Sequence, residues 1–202
     1  MVLVLDLFAG TKSLKKFVDD KNWDYISLDI EPNHNPDILI DFLEWDYKTV
    51  KPDILWASPD CAVYSMANGG QHFTKDREPT TEKAKTQLRV LARLKECIEY
   101  YSSRNSDFIY FVENPTARMV WFMDDYPRYD VSYCKYGCDR MKPTTIWTNR
   151  KNFEPKRCKN GNKNCHHIKA PRGCRLGTEA LKKVEKYKVP DLLINELLTL
   201  EN

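Results

Sequence analysis

The sequence predicts an α/β protein: a mostly parallel sheet flanked by helices, with a small basic Cys/His-containing lobe towards the C-terminus. Three observations predict it. Short apolar runs recur through the first 112 residues, separated by helix-like or loop-like stretches, as in βαβ units. Those runs close on Asp, Glu or a glycine turn, the pattern of a ligand-binding strand rim. The 202-residue chain, 42% hydrophobic and 12% aromatic, is long enough for one well-packed domain and too short for two ordinary ones.

Taken in order, residues 2–8 are a near-continuous apolar strand running into Asp6-Leu7-Phe8-Ala9-Gly10-Thr11. Gly10 lets the backbone turn tightly beside a ligand, and Ser13 is placed to cap a helix over 14–20. Residues 24–29 are a second strand, closing on Asp29, 23 positions after Asp6. An acid about 20 residues beyond a glycine turn suits hydrogen bonds to ribose hydroxyls. Residues 38–41 are a third short strand ending in an acid, Asp41. Together the three read as a nucleoside-binding rim, although acids that only keep strand ends soluble give the same pattern.

Residues 54–57 are fully apolar, as in a strand covered on both faces, and Ser58-Pro59-Asp60 stops them. Cys61 therefore lies just past a strand's carboxyl end, placed for chemistry, or for packing as a small hydrophobe. Residues 62–81, with Gly69-Gly70 and no clear period, read as a mobile loop. Thr80 or Thr81 then caps a helix from about 82 to 101, with Leu88, Leu91, Leu94, Cys97, Ile98 and Tyr101 on one core-facing stripe. Residues 108–112 are an aromatic, β-branched strand ending at Glu113-Asn114-Pro115. Glu113 thus shares a rim with Cys61 and is its candidate acid partner.

The net charge of +3 hides an asymmetry: residues 135–188 hold 16 Lys or Arg against 4 Asp or Glu. Such a segment suits a polyanion, or is a solvated basic surface. Within it Cys158, Cys165, His166, His167 and Cys174 cluster. Thiolates and imidazoles are zinc ligands, so Cys158, Cys165, His167 and Cys174 are the candidate set for a structural ion; the alternative is a set of thiols in a basic loop. Pro190 is placed to start a helix through Leu192, Leu193, Leu197 and Leu200 that packs on the sheet. No apolar run approaches the roughly 20 residues that span a bilayer. The opening Met1-Val2-Leu3-Val4-Leu5 reads as a strand, not a signal, so an intracellular setting, cytoplasmic or nuclear, is expected.

Four of these stretches, in order, carry a resemblance: Asp6-Leu7-Phe8-Ala9-Gly10, Pro59-Asp60-Cys61, Tyr64-Ser65 and Glu113-Asn114-Pro115 resemble the ordered motifs of the DNA cytosine-5 methyltransferases over roughly residues 1–150. Here Asp60 replaces the second proline of the family's usual Pro-Pro-Cys, and Lys12 and Ser13 stand where glycines commonly follow the first motif. The resemblance implies a Rossmann-like methyltransferase fold using S-adenosyl-L-methionine. It implies Cys61 as the nucleophile and Glu113 as the group holding the base edge. Arg140 and Lys142 are the cations in place of a Gln-x-Arg-x-Arg element. Asp6, Phe8, Ala9, Gly10, Asp29, Ile30, Asp41 and Pro59 would line the cofactor site, with Asp29 on the ribose, Asp41 near the adenine amino group and Phe8 and Ile30 on the purine faces. Ser65, Asn114 and Pro115 would face the substrate. The implied partner is double-stranded DNA with one cytosine flipped out of the stack.

The expected organisation is a catalytic core over 1–150, a basic Cys/His-rich segment over 151–188 that is a reduced target-recognition lobe, and a terminal helix over 189–202. Three functions remain open on the sequence: methylation of DNA cytosine, the same chemistry on RNA or a free nucleotide, and nucleic-acid binding by a chain weak or inactive in catalysis.

Overall fold

The structure is a computed structural model describing residues 1–66, 71–169, 185 and 187–199. Among these residues one seven-stranded sheet runs through the molecule. Its strands are β1 (Leu3–Leu7), β2 (Asp24–Asp29), β3 (Ile38–Leu39), β4 (Ile54–Ala57), β5 (Ile109–Pro115), β6 (Arg128–Ser132) and β7 (Pro143–Thr148). The order is β3-β2-β1-β4-β5-β7-β6, parallel from β3 to β5, with β7 antiparallel to both its neighbours. The chain leaves β1 to one side for β2 and β3, then returns to pair β4 on the other side. Such a reversal opens a crevice at the carboxyl ends of β1 and β4, where ligands bind in sheets of this kind.

Side chains of β1 and β4 alternate into two cores. On one face Leu5, Leu7, Leu55 and Ala57 pack with Ala84, Leu91, Leu94 and Ile98 of helix α2 (Glu82–Ser102). On the other Val4, Ile54 and Trp56 pack with Val18 of helix α1 (Lys15–Asp20) and with Leu193, Ile194 and Leu197 of helix α3 (Asp191–Leu198). Both faces are covered, which is why β4 reads as an unbroken apolar run. None of the described helices is long and apolar enough to cross a membrane.

Several elements differ from the sequence reading, each for a local reason. The first strand stops at Leu7 because Phe8 turns into the left-handed region at φ 59°, uncommon for an aromatic residue. Ser13 does not cap α1; its Oγ accepts the Val189 amide at 3.1 Å, and the helix starts without a side-chain cap. β3 is only two residues, because Asp41 opens a turn whose Glu44 and Trp45 amides donate to its carbonyl. β5 continues through Glu113, Asn114 and Pro115, which pair with Ile146, Thr145 and Thr144 of β7. In the 62–81 stretch Tyr64 and Phe73 are buried and stacked, centroids 5.9 Å apart, so at least these two residues belong to the core and not to a free flap. Leu192 faces outward, and Leu88 of the helical stripe is only half-buried, Val90 taking the core position instead. Leu200 lies outside the described residues.

The described part of the basic segment lies against β6 and the 3-10 turn Tyr133–Tyr136 that follows it. The Ser132 amide donates to Lys156 O at 3.0 Å, and the Cys158 amide donates to Ser132 Oγ at 3.0 Å. Phe153 is buried beside Tyr129, and Lys156 and Arg157 pair with Glu196 and Asp130. Two basic side chains are thus occupied internally, while Lys159 and Lys163 stay exposed with no pairing among the described contacts.

Candidate active site

The crevice has two sides. On one, β4 delivers Cys61. The Ser58 amide donates to Leu7 O at 3.2 Å, binding this exit to the end of β1. A helical turn follows, in which the Tyr64 and Ser65 amides donate to Cys61 O. Asp60, the departure from the family pattern, points outward: Oδ1 accepts the Ala62 amide at 2.8 Å, and Oδ2 lies 2.9 Å from Lys83 Nζ. Its charge is matched at the surface by Lys83. Ser65 holds the same turn, its hydroxyl donating to Ala62 O and its carbonyl accepting from Arg118.

β5 lies beside β4 with Ala57 opposite Val112, so both strands release their next residues at the same sheet end. The Asn114 side-chain amide donates to Pro59 O at 2.9 Å, locking the two exits together, while Asn114 Oδ1 is buried with no hydrogen-bond partner among the described residues. Glu113 is 6% exposed. Its Oε1 accepts the Tyr133 hydroxyl at 2.8 Å and lies 3.6 Å from Lys142 Nζ, which sits 4.5 Å over the Tyr133 ring. Burial first, and then the Glu113 charge, push the Tyr133 phenol well above its ordinary value, so it stays a donor. Lys142 has φ 25°, a strained conformation for a residue with a side chain.

The other side is built on β1, β2 and β3. Asp29 Oδ2 accepts the Gly10 amide at 2.8 Å and Oδ1 the Glu31 amide at 2.8 Å, with His34 Nδ1 3.3 Å away. The glycine turn and the second strand end are thereby one unit. Gly10, at φ 48°, has open space where a Cβ would point, with nothing closer than Phe8 O at 3.8 Å. Phe8 is half-buried edge-on against Phe42, and Ile30 is left 65% exposed beside buried Asp29. Ala9 is buried, its amide donating to Leu28 O. Asp41 is half-buried and caps its own turn through Leu43 N. Asp6 faces inward: its carboxylate accepts the Tyr25 hydroxyl at 2.6 Å, and burial pushes its pKa up to about 7 against the lowering effect of that bond.

The structure also brings in residues that sequence reading passed over. Tyr133, Tyr25 and Lys83 are the partners of Glu113, Asp6 and Asp60. Tyr187 lies near Cys61 and Asp60, its phenol pushed up by burial and then by their charges. A cavity of about 470 Å³ opens beside Glu113's partners, lined by Tyr133, Arg140, Lys142, Lys188, Pro190 and Leu192 among others. Cys61 and Glu113 do not line it. Arg140 does, and it is separated in role from Lys142: its Nε and Nη1 are buried with no hydrogen-bond partner among the described residues.

A second cluster lies behind the turn at 133–136. Cys134, Cys158, Cys165 and His167 place one ligand atom each within 4.8 Å of one another. Three of the four expected metal ligands are present; Cys134 is the unexpected fourth, and Cys174 lies outside the described residues. His166 points elsewhere, its Nε2 3.0 Å from Cys138 O.

No protein-family model matches the chain. A Frog virus 3 (isolate Goorha) protein described as a "probable DNA (cytosine-5)-methyltransferase" is 32% identical in an alignment of 222 residues, covering 98% of this chain and 99% of that one. Among solved structures, the S. pombe Dnmt2 methyltransferase aligns with a TM-score of 0.51 at 13% identity, over 77% of this chain and 53% of its own. That second likeness is one of fold, and the chain spans about half of the Dnmt2 length. Near-full-length identity to the viral relative, on this fold, places the chain in the DNA cytosine-5 methyltransferase family.

Proposed function

We propose that the protein methylates C5 of cytosine in DNA, with Cys61 as nucleophile and Glu113 as the group that grips the base. The observation that carries the reading is the joined exit of β4 and β5: a cysteine leaves one strand, and beside it a buried glutamate is held between a phenol and an ammonium.

C5 of cytosine is too poor a nucleophile to take a methyl group unaided. The Cys61 thiolate adds to C6 and drives electron density to C5; after methylation the C5 proton leaves and the thiolate is expelled, restoring the ring. Glu113 bridges the N3 and amino edge as charge builds there. Both described contacts to Glu113 are on Oε1, which leaves Oε2 for the base. Tyr133 and Lys142 fix the carboxylate, and Asn114 and Pro115 with Ser65 form the wall beside it. Arg140, two of whose nitrogens lack hydrogen-bond partners among the described residues, suits a phosphate or the flipped nucleotide. Flipping the base out of the duplex costs a few kcal/mol, which contacts to Glu113 and its neighbours would offset.

S-adenosyl-L-methionine, when bound, supplies the electrophilic methyl group. The first half of the crevice fits it: open space at Gly10, an acid at the second strand end, and apolar faces on Phe8 and exposed Ile30. Asp29 would take the ribose hydroxyls and Asp41 the adenine amino group, with Ala9 and Pro59 closing the floor. Asp6 shapes this floor from below through Tyr25. Exposed Lys159 and Lys163 would meet the phosphate backbone, a contact that weakens steeply with salt.

Incubation with methyl-labelled donor and, separately, duplex DNA, RNA or cytidine nucleotides tests the substrate. Label at C5 of cytosine in DNA is expected. Label only in RNA or nucleotide, or none, would overturn it. DNA carrying 5-fluorocytosine, which has no C5 proton to lose, should trap a covalent complex that Cys61→Ser cannot form.

A further inference from the structure

We propose that Cys134, Cys158, Cys165 and His167 bind one structural zinc ion that staples the basic segment to the turn behind Glu113. The proposal deepens the reading above by naming a second cofactor, and its test is independent of methyl transfer.

The spacing suits a closed tetrahedral site. Zinc–sulfur and zinc–nitrogen bonds of about 2.3 and 2.0 Å set ligand-to-ligand edges of roughly 3.5–3.8 Å. Cys158 Sγ and His167 Nδ1 are 3.7 Å apart, and all four ligand atoms fall within 4.8 Å. A disulfide would engage two of the three sulfurs and leave the third, with a His167 that is 6% exposed, unexplained. Three sulfurs and an imidazole, with no carboxylate among them, select a soft or borderline ion and disfavour calcium or magnesium.

The loop itself needs such an ion. Between Cys158 and His167 the chain is Lys, Asn, Gly and His apart from its cysteines, with no apolar side chain to bury. A metal replaces the missing core. Three thiolates around a divalent ion leave a net charge of −1, and Lys156, Arg157, Lys159 and Lys163 surround the loop in sequence. The Asn162 side-chain amide donates to Cys158 Sγ at 3.6 Å, the kind of support that orients a ligating sulfur. Cys134 directly follows Tyr133, so the ion anchors the same turn that presents the phenol to Glu113.

Elemental analysis of the chain purified without chelators should give one zinc per chain. Cys134→Ser, Cys158→Ser and His167→Ala should each weaken zinc affinity at least about tenfold, as loss of one ligand does, whereas His167→Cys and Cys174→Ser retain it. Cobalt(II) added to the metal-free parent should give the intense visible bands of a tetrahedral thiolate site, a readout that survives if a variant fails to fold. Parent protein that neither holds zinc nor gives that spectrum overturns the proposal, as does full zinc in Cys134→Ser with loss in Cys174→Ser. Zinc present without methyl transfer would sink the enzymatic reading alone.

Discussion

The two halves of the crevice are built on opposite plans. Beyond β1 and β2 the acids are already committed: Asp29 to two backbone amides, Asp6 to Tyr25, Asp41 to its own turn. Beyond β4 and β5 the groups keep bonding capacity in reserve, with Asn114 Oδ1 and two Arg140 nitrogens buried and without hydrogen-bond partners among the described residues. A half that would offer shape has its carboxylates satisfied in advance. A half that would exchange protons and bonds carries groups a substrate could partner. Buried polar atoms without hydrogen-bond partners are costly, and among the described residues the first half carries one too, His34 Nδ1, 3.3 Å from Asp29.

That contrast can be broken by substitution. The largest effect is expected from Cys61→Ser, which should lower methyl transfer on the order of 10³-fold or more while leaving donor binding by calorimetry unchanged. A serine variant as fast as the parent would remove the reactive half altogether. Glu113→Gln should cost roughly 10²–10⁴-fold in kcat, and Tyr133→Phe about tenfold, the worth of one hydrogen bond to a charged group. Asp29→Ala should instead weaken donor affinity by about 10- to 100-fold and leave covalent trapping on fluorinated DNA intact at saturating donor. Equal losses in both readouts would mean that the halves are not separable.

Two weaker effects sharpen the comparison. Below about pH 4 the Asp6 carboxyl is protonated whether the chain is folded or not; between there and about 7 the unfolded chain releases the proton and the folded one keeps it. Stability should therefore fall as pH rises through that window and level off above it, and Asp6→Asn should flatten the slope of urea midpoints between pH 5 and 8. Lys83→Ala removes an exposed partner of Asp60 and should shift stability by less than about 1 kcal/mol in the same titration.

Local chemistry made much of this legible in the sequence. β2 and β4 appear at their expected bounds because acid or proline ends an apolar run, and Thr81 caps α2 as its side chain dictates, accepting the Ala84 amide. β7 was invisible for a physical reason: Thr144, Thr145 and Thr148 are buried polar residues, satisfied by Lys142, Asp130 and the Arg150 amide, so no apolar alternation marks the strand. Missing β6 and β7 also hid the continuation of β5 past Glu113. Cys134 carries no spacing signature with a loop that starts at Cys158, since only folding joins them. Tyr133 and Tyr25 likewise look like core aromatics until their hydroxyls are seen to end on carboxylates.

The bond from the Val189 amide to Ser13 Oγ spans 176 residues. A ribosome delivers Ser13 early and Val189 late, so this bond can close only towards the end of synthesis. Pro190, next to that bond, stands in the cavity wall, so the cavity is completed only once this late stretch has docked.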